Sequence, residues 1–172
     1  MPDAGAGRGV TTPRLPWWRG ARGEWYVVAQ MVLFICIALA PLVPGQPEWP
    51  AGTALAARGL GLLLGVAGLA LALAGLLGLG RNRSPLPHPK DDAEVVEGGV
   101  YGLARHPIYG GLIAGALGWG LLTNSQLSLV LALALWVLFE VKSRREEGQL
   151  LARFPAYAAY REQVRKFFPW LY

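Results

Sequence analysis

Four stretches of this chain carry no charged residue at all: Trp25 to Val43, Leu60 to Gly80, Ile108 to Leu122 and Leu127 to Phe139. A helix needs roughly 17–25 apolar residues to cross the hydrocarbon core of a bilayer. The first two stretches meet that length. The last two are shorter and are joined only by Thr123-Asn124-Ser125-Gln126, which predicts a helical hairpin. With 53% hydrophobic residues over 172, the chain is too apolar for an ordinary soluble domain of this size. The expected fold class is therefore all-α: a polytopic membrane protein with four transmembrane helices.

The first stretch follows a basic segment, as a signal peptide would. However, about two dozen residues precede it, and Pro41 stands directly after Ala38-Leu39-Ala40, where cleavage would be needed. It is read as a membrane helix of the mature protein, over about Glu24 to Leu42. Helix two is expected over about Thr53 to Leu79, with Gly61, Gly65, Gly68, Ala72 and Gly75 nearly on one face. Small residues at that spacing let two helix backbones approach closely in lipid. Pro107 suits the first position of helix three, and Gly111 and Gly115 form a similar notch within it.

The net charge of +5 is unevenly placed. Arg8, Arg14, Arg19 and Arg22 precede helix one, and Arg81, Arg83, Lys90 and Arg105 lie between helices two and three. Lys142, Arg144, Arg145, Arg153, Arg161, Arg165 and Lys166 follow helix four, and Arg58 alone falls on the other side. The positive-inside rule then puts both termini and the central loop in the cytoplasm. Anionic headgroups of the inner leaflet account for the basic excess, and no nucleic acid is needed. The Gly-, Ala- and Arg-rich composition points to a GC-rich bacterial genome, hence a bacterial inner membrane. Cys36 has no partner for an internal disulfide. His88 and His106 share one loop without further Cys or His, so no metal site is expected.

Organisation follows from these features. Residues 1–24 form a basic, partly disordered tail, and residues 25–80 the first two helices. Residues 81–172 comprise a loop, the hairpin and a tail, all within one membrane domain. In the central loop, Pro85, Pro87 and Pro89 stiffen the chain, and Gly98-Gly99 permits a sharp turn toward the membrane. Helix four is expected to continue past Phe139 as far as Glu147. Beyond it, Phe154, Tyr157, Tyr160, Val164, Phe167 and Phe168 alternate with basic residues, which predicts an amphipathic helix lying on the membrane.

The chemistry concentrates in Gly99-Val100-Tyr101-Gly102-Leu103-Ala104-Arg105-His106-Pro107-Ile108-Tyr109-Gly110-Gly111. A guanidinium, an imidazole and two phenols stand at the mouth of a buried helix. Singly, Arg105 and His106 could be snorkelling anchors, and the tyrosines could belong to an aromatic belt. Together with Pro87-His88-Pro89, Glu94-Val95-Val96, Arg145-Glu146-Glu147 and Phe154-Pro155-Ala156-Tyr157, in that order, they resemble the isoprenylcysteine carboxyl methyltransferase family. That family belongs with the phospholipid methyltransferases among integral membrane enzymes. The resemblance covers about residues 80–170.

The resemblance implies S-adenosylmethionine as cofactor, held at the cytoplasmic ends of the last two helices. By position, Glu94, Val95 and Val96 match a lining loop, and Tyr101 a contact residue. His106, Pro107, Ile108 and Tyr109 match the core binding element, and Glu146 a carboxylate for the cofactor's amino-acid end. An arginine of the family's acceptor site falls on Lys142 here, with Arg144 or Arg145 able to substitute. The residue chemistry agrees. An ammonium needs a carboxylate, which Glu146 supplies. A carboxylate needs donors, which Arg105 and His106 supply. A sulfonium is a soft cation that the faces of Tyr101 or Tyr109 could stabilise. His106, Arg105 and Glu146 are accordingly the expected catalytic residues, with Lys142 and Arg145 at the acceptor. The acceptor is expected to be a lipophilic or membrane-partitioning carboxylate, thiol or amine. Two other classes compete: an NADPH-dependent reductase of sterol-reductase-like architecture, and a non-enzymatic membrane partner retaining the fold.

Overall fold

The computed structural model describes residues 23–79, 96–169 and 171. The N-terminal tail, the proline-rich part of the central loop, Glu94 and Val95 lie outside the described residues. Among those described, the elements are helical, with no strand. They are α1 (Glu24–Leu39, continued by a 3-10 turn at Ala40–Leu42), α2 (Ala51–Leu79), α3 (Pro107–Leu122), α4 (Gln126–Arg153) and α5 (Tyr157–Gln163). Three helices are long and apolar enough to cross a membrane: Glu24–Leu42, Ala51–Leu79 and Gln126–Arg153. Pro107–Leu122 is equally apolar but shorter. Leu55, Leu62, Leu63, Leu69 and Leu77 of α2, and Val32, Ile35 and Leu39 of α1, are exposed. Apolar surface of that extent suits hydrocarbon rather than water.

The helix boundaries follow local chemistry. Pro107 opens α3, where its missing N–H costs nothing. Ser125 caps α4 by accepting a hydrogen bond from the Ser128 amide at 3.1 Å. Asn124 makes the intervening turn in the left-handed region, at φ 50°. Gly99 turns the loop toward α3 at φ 62°, a conformation that favours glycine.

The small face of α2 packs on α3, as its spacing predicts. A Cβ on Gly61 would lie 2.6 Å from the Gly118 carbonyl oxygen, and one on Gly68 2.6 Å from that of Gly111. α4 returns along α3, and α1 lies against α4 through Phe34 and Phe139 at 6.5 Å between ring centroids. At the far end, Gln46 accepts from the Ser125 hydroxyl at 2.8 Å and Ser128 donates to the Ile37 carbonyl at 3.0 Å, which ties α1 to α4.

The C-terminal tail departs from expectation. Only the seven residues of α5 are helical, and the chain then runs parallel to the segment preceding α3. The amides of Arg105 and His106 donate to the Arg165 and Lys166 carbonyls, each at 2.8 Å. Tyr157, Tyr160 and Phe167, expected on a membrane-facing stripe, are buried against protein instead. Apolar spacing told that these rings would leave water. It carried no information on whether lipid or protein would receive them.

Candidate functional site

Six side chains from two segments meet where α3 begins and α4 leaves its apolar stretch. His106 is the N-cap residue of α3, with a non-helical backbone (φ −126°, ψ 61°) and no capping bond from its side chain. Its imidazole is therefore free for other partners. Nε2 lies 3.1 Å from Glu147 Oε1, and Nδ1 lies 3.6 Å from Glu146 Oε2. One turn into α3, the Tyr109 hydroxyl donates to Glu146 Oε1 at 2.6 Å. The Tyr109 ring stacks with His106 (centroids 5.5 Å apart) and with Phe139 (4.5 Å), and the Lys142 ammonium sits 5.0 Å from its centroid.

Helix geometry explains why adjacent glutamates take different roles. Successive residues point about 100° apart, whereas residues three, four or seven apart share a face. Phe139, Lys142 and Glu146 thus look toward Tyr109 and α1. Glu140, Arg144 and Glu147 look toward the tail. On that second face Arg105 donates through Nε to Glu147 Oε1 at 2.9 Å, and through Nη1 to the carbonyls of Arg161 (2.9 Å) and Val164. Arg161 Nε adds a contact to Glu147 Oε2 at 3.4 Å. Glu140 takes both Arg144 and Lys166, each at 2.7 Å. The tail-side groups line a recess of about 530 Å³.

Among the expected site residues, the structure brings together Arg105, His106, Tyr109 and Glu146. Lys142 is buried beside them, at 2% exposure, with its ammonium 3.1 Å from Gln30 Oε1 of α1. Arg145 turns to the Tyr26 ring of α1, 5.8 Å away. Tyr101, Pro107 and Ile108 face α2. The Tyr101 hydroxyl donates to the Gly75 carbonyl at 3.2 Å, and Pro107 and Ile108 lie where a Cβ on Gly75 would stand. Burial and the charge of Glu146 push the Tyr101 phenol up to about 12, so it stays a donor at neutral pH. Val96 is half-buried at the edge of the described loop.

Glu147 was given no site role in the reading from sequence alone, and neither were Arg161, Phe139 or Gln30. The signal for Glu147 was present: two consecutive carboxylates at the end of an apolar helix cannot share a face, so each needs its own cations. Phe167 was missed in its interior position. Gly110 is the local trace of it, because a Cβ there would strike the Phe167 carbonyl.

Arg105 can be tested through the tail it holds. Lysine offers one ammonium in place of a planar fork and cannot reach Glu147 and two carbonyls together. Arg105→Lys is expected to cost about 2–3 kcal/mol, the worth of one or two charge-assisted hydrogen bonds. The check is limited trypsin digestion in detergent. Cleavage at Arg161 and Arg165 should accelerate while the helical content stays unchanged.

The fold and the charged cluster define an all-helical protein with membrane-spanning lengths and a polar site built at one end of its helices. The chain belongs to the phospholipid methyltransferase family, whose profile matches residues 56–157. It is also similar to the cobalt-zinc-cadmium resistance protein CzcN of Cupriavidus metallidurans, at 35% identity over 86% of this chain and 62% of that protein. The nickel-cobalt-cadmium resistance protein NccN of Alcaligenes xylosoxydans xylosoxydans is 31% identical over 86% of this chain and 63% of its own length. The chain thus spans somewhat over three-fifths of these curated relatives.

Proposed function

We propose that this protein is an integral membrane methyltransferase that uses S-adenosylmethionine and methylates a lipophilic or membrane-partitioning acceptor at a carboxylate, thiol or amine. The observation that carries the reading is the cluster of His106, Tyr109 and Glu146 within the segment matched to the family. Its donor set suits the cofactor. Glu146 is anchored through Oε1 by Tyr109, while Oε2 stands 3.6 Å from His106 Nδ1, beyond a tight hydrogen bond. Glu146 and His106 would hold the amino-acid end, with Glu94, Val95 and Val96 as the lining loop that the family resemblance implies. When bound, S-adenosylmethionine supplies an electrophilic methyl group.

The protein's own work is then binding, alignment and exclusion of water. Transfer of a methyl from a sulfonium to an anion lowers charge separation, so a dry and preorganised site favours it. A carboxylate or thiolate acceptor needs no base. An amine acceptor would have to lose a proton, and His106 or Glu146 would be the candidate bases. Lys142 and Arg145 face α1 and would meet the acceptor on that side.

In this reading α3 is the fourth crossing. Its 16 residues rise about 24 Å, short of the roughly 30 Å core, so the bilayer thins or the flanking polar residues reach outward there. Both termini and the 81–105 loop lie on the cytoplasmic face of a bacterial inner membrane. The basic residues at that end support this orientation, and the bacterial relatives support the source.

Titration calorimetry of the detergent-purified protein with S-adenosylhomocysteine should show micromolar binding, and NADPH none. The absence of S-adenosylhomocysteine binding at high micromolar concentration, or preference for NADPH, overturns the proposal. Membranes incubated with methyl-labelled donor, then separated into lipid, protein and volatile fractions, identify the acceptor.

The names of the two relatives favour a second reading, in which the protein serves metal resistance. The two readings are compatible if methylation is the means. A host strain lacking the gene should then lose tolerance to cobalt or cadmium, and Glu146→Gln should fail to restore it. Full restoration by that variant assigns the protein a non-enzymatic role.

A further inference from the structure

A carboxylate that nothing above assigns to the reaction has the best-defined surroundings in the site. Glu147 is 3% exposed and is held by two guanidiniums, Arg105 at 2.9 Å and Arg161 at 3.4 Å. It is thus a fixed, charged acceptor. The nearest polar atom on the other side is His106 Nε2, at 3.1 Å. The imidazole is confined by a parallel stack on Tyr109 and by the edge of Phe167, whose ring centroid lies 6.1 Å away.

A neutral imidazole carries one hydrogen, and the partner of each nitrogen decides where it resides. An ionised carboxylate only accepts. The shorter contact to Glu147 therefore calls for the hydrogen on Nε2. That leaves Nδ1 as an acceptor, 3.6 Å from Glu146 Oε2. With the ring neutral and Glu146 ionised, two acceptors at that separation cannot satisfy one another, but an ammonium with three hydrogens can serve both.

We propose that Glu147 is a positioning residue: it takes the Nε2 hydrogen of His106 and so presents Nδ1 beside Glu146 as a second acceptor for a ligand ammonium. The identity of that ligand rests on the methyltransferase reading. The tautomer does not. Glu147 touches no reacting atom and acts through the imidazole.

The sequence has two histidines, His88 and His106, so nitrogen-15 histidine labelling gives a spectrum that can be assigned with His106→Gln. In the wild-type protein in detergent, the neutral form of His106 should show a protonated Nε2 and an unprotonated Nδ1. Glu147→Gln should move the tautomers toward equal populations and weaken S-adenosylhomocysteine binding about tenfold. Glu146→Gln should leave the tautomer as it was and remove the binding. Hydrogen on Nδ1 in the wild type, or a His106 spectrum unchanged by Glu147→Gln, overturns the inference. If Glu147→Gln does not fold, the wild-type spectrum decides alone. If S-adenosylhomocysteine binds to none of the proteins, the methyltransferase reading fails and the nitrogen spectra still decide the tautomer.

Discussion

Glu146→Gln is expected to weaken S-adenosylhomocysteine binding by about 100-fold or more, because removing one partner from a buried charge pair costs about 3–5 kcal/mol. The substitution keeps the shape of the side chain and an oxygen for the Tyr109 hydroxyl, which donates at 2.6 Å. What is lost is the charge opposite the ligand's ammonium. Glu140→Gln is the matched control. It removes the same charge from the same helix, but on the face where Glu140 holds Arg144 and Lys166. Its affinity should stay within about threefold of wild type. Calorimetry on the pair separates a local ionic contact from a general effect of net charge. An E146Q protein that binds as tightly as wild type would remove Glu146 from the site.

Gly68→Ala is expected to destabilise the bundle by about 1–3 kcal/mol, as overpacking of a tight contact does. The added methyl would stand 2.6 Å from the Gly111 carbonyl oxygen and 2.8 Å from the Gly115 nitrogen. Both are backbone atoms, so α2 and α3 must separate rather than a side chain rotate. Thermal unfolding in detergent should show a drop of about 3–10 °C for a chain of this length. Gly65→Ala, one turn away, meets open space. It should leave the midpoint unchanged or raise it slightly, since alanine favours helix over glycine. Equal losses at both positions would mean that lipid contact, and not the α2–α3 approach, sets stability here. The consequence reaches the site because α3 carries His106 at its N-cap and Tyr109 in its first turn.

Much of this architecture was legible locally. Uncharged runs located α1, α2 and the α3–α4 pair. Pro107 and Ser125 set where α3 and α4 begin, and the glycine face of α2 announced a close neighbour. The motif from Gly99 to Gly111, taken with Glu146 and Glu147, led to the family. The tail was not legible in the same way. Its aromatic spacing suits a lipid surface and a protein interior equally, and the segments that receive it are distant in sequence. Tyr160 donates to the Tyr101 carbonyl, and Arg105 to that of Val164, each across 59 residues.

The sequence by itself determined which segments shed water, where helices start, and which residue types collect near the beginning of α3. Those properties are written in short-range periodicity and in the backbone limits of proline and glycine. Tertiary structure alone decided the division of labour between Glu146 and Glu147, the capture of Arg105 by tail carbonyls, and the burial of Phe167 under Gly110. A helix fixes the angle between neighbouring side chains but not what stands opposite each. That depends on which remote segment brings the compensating charge, and it is settled only when the whole chain has packed.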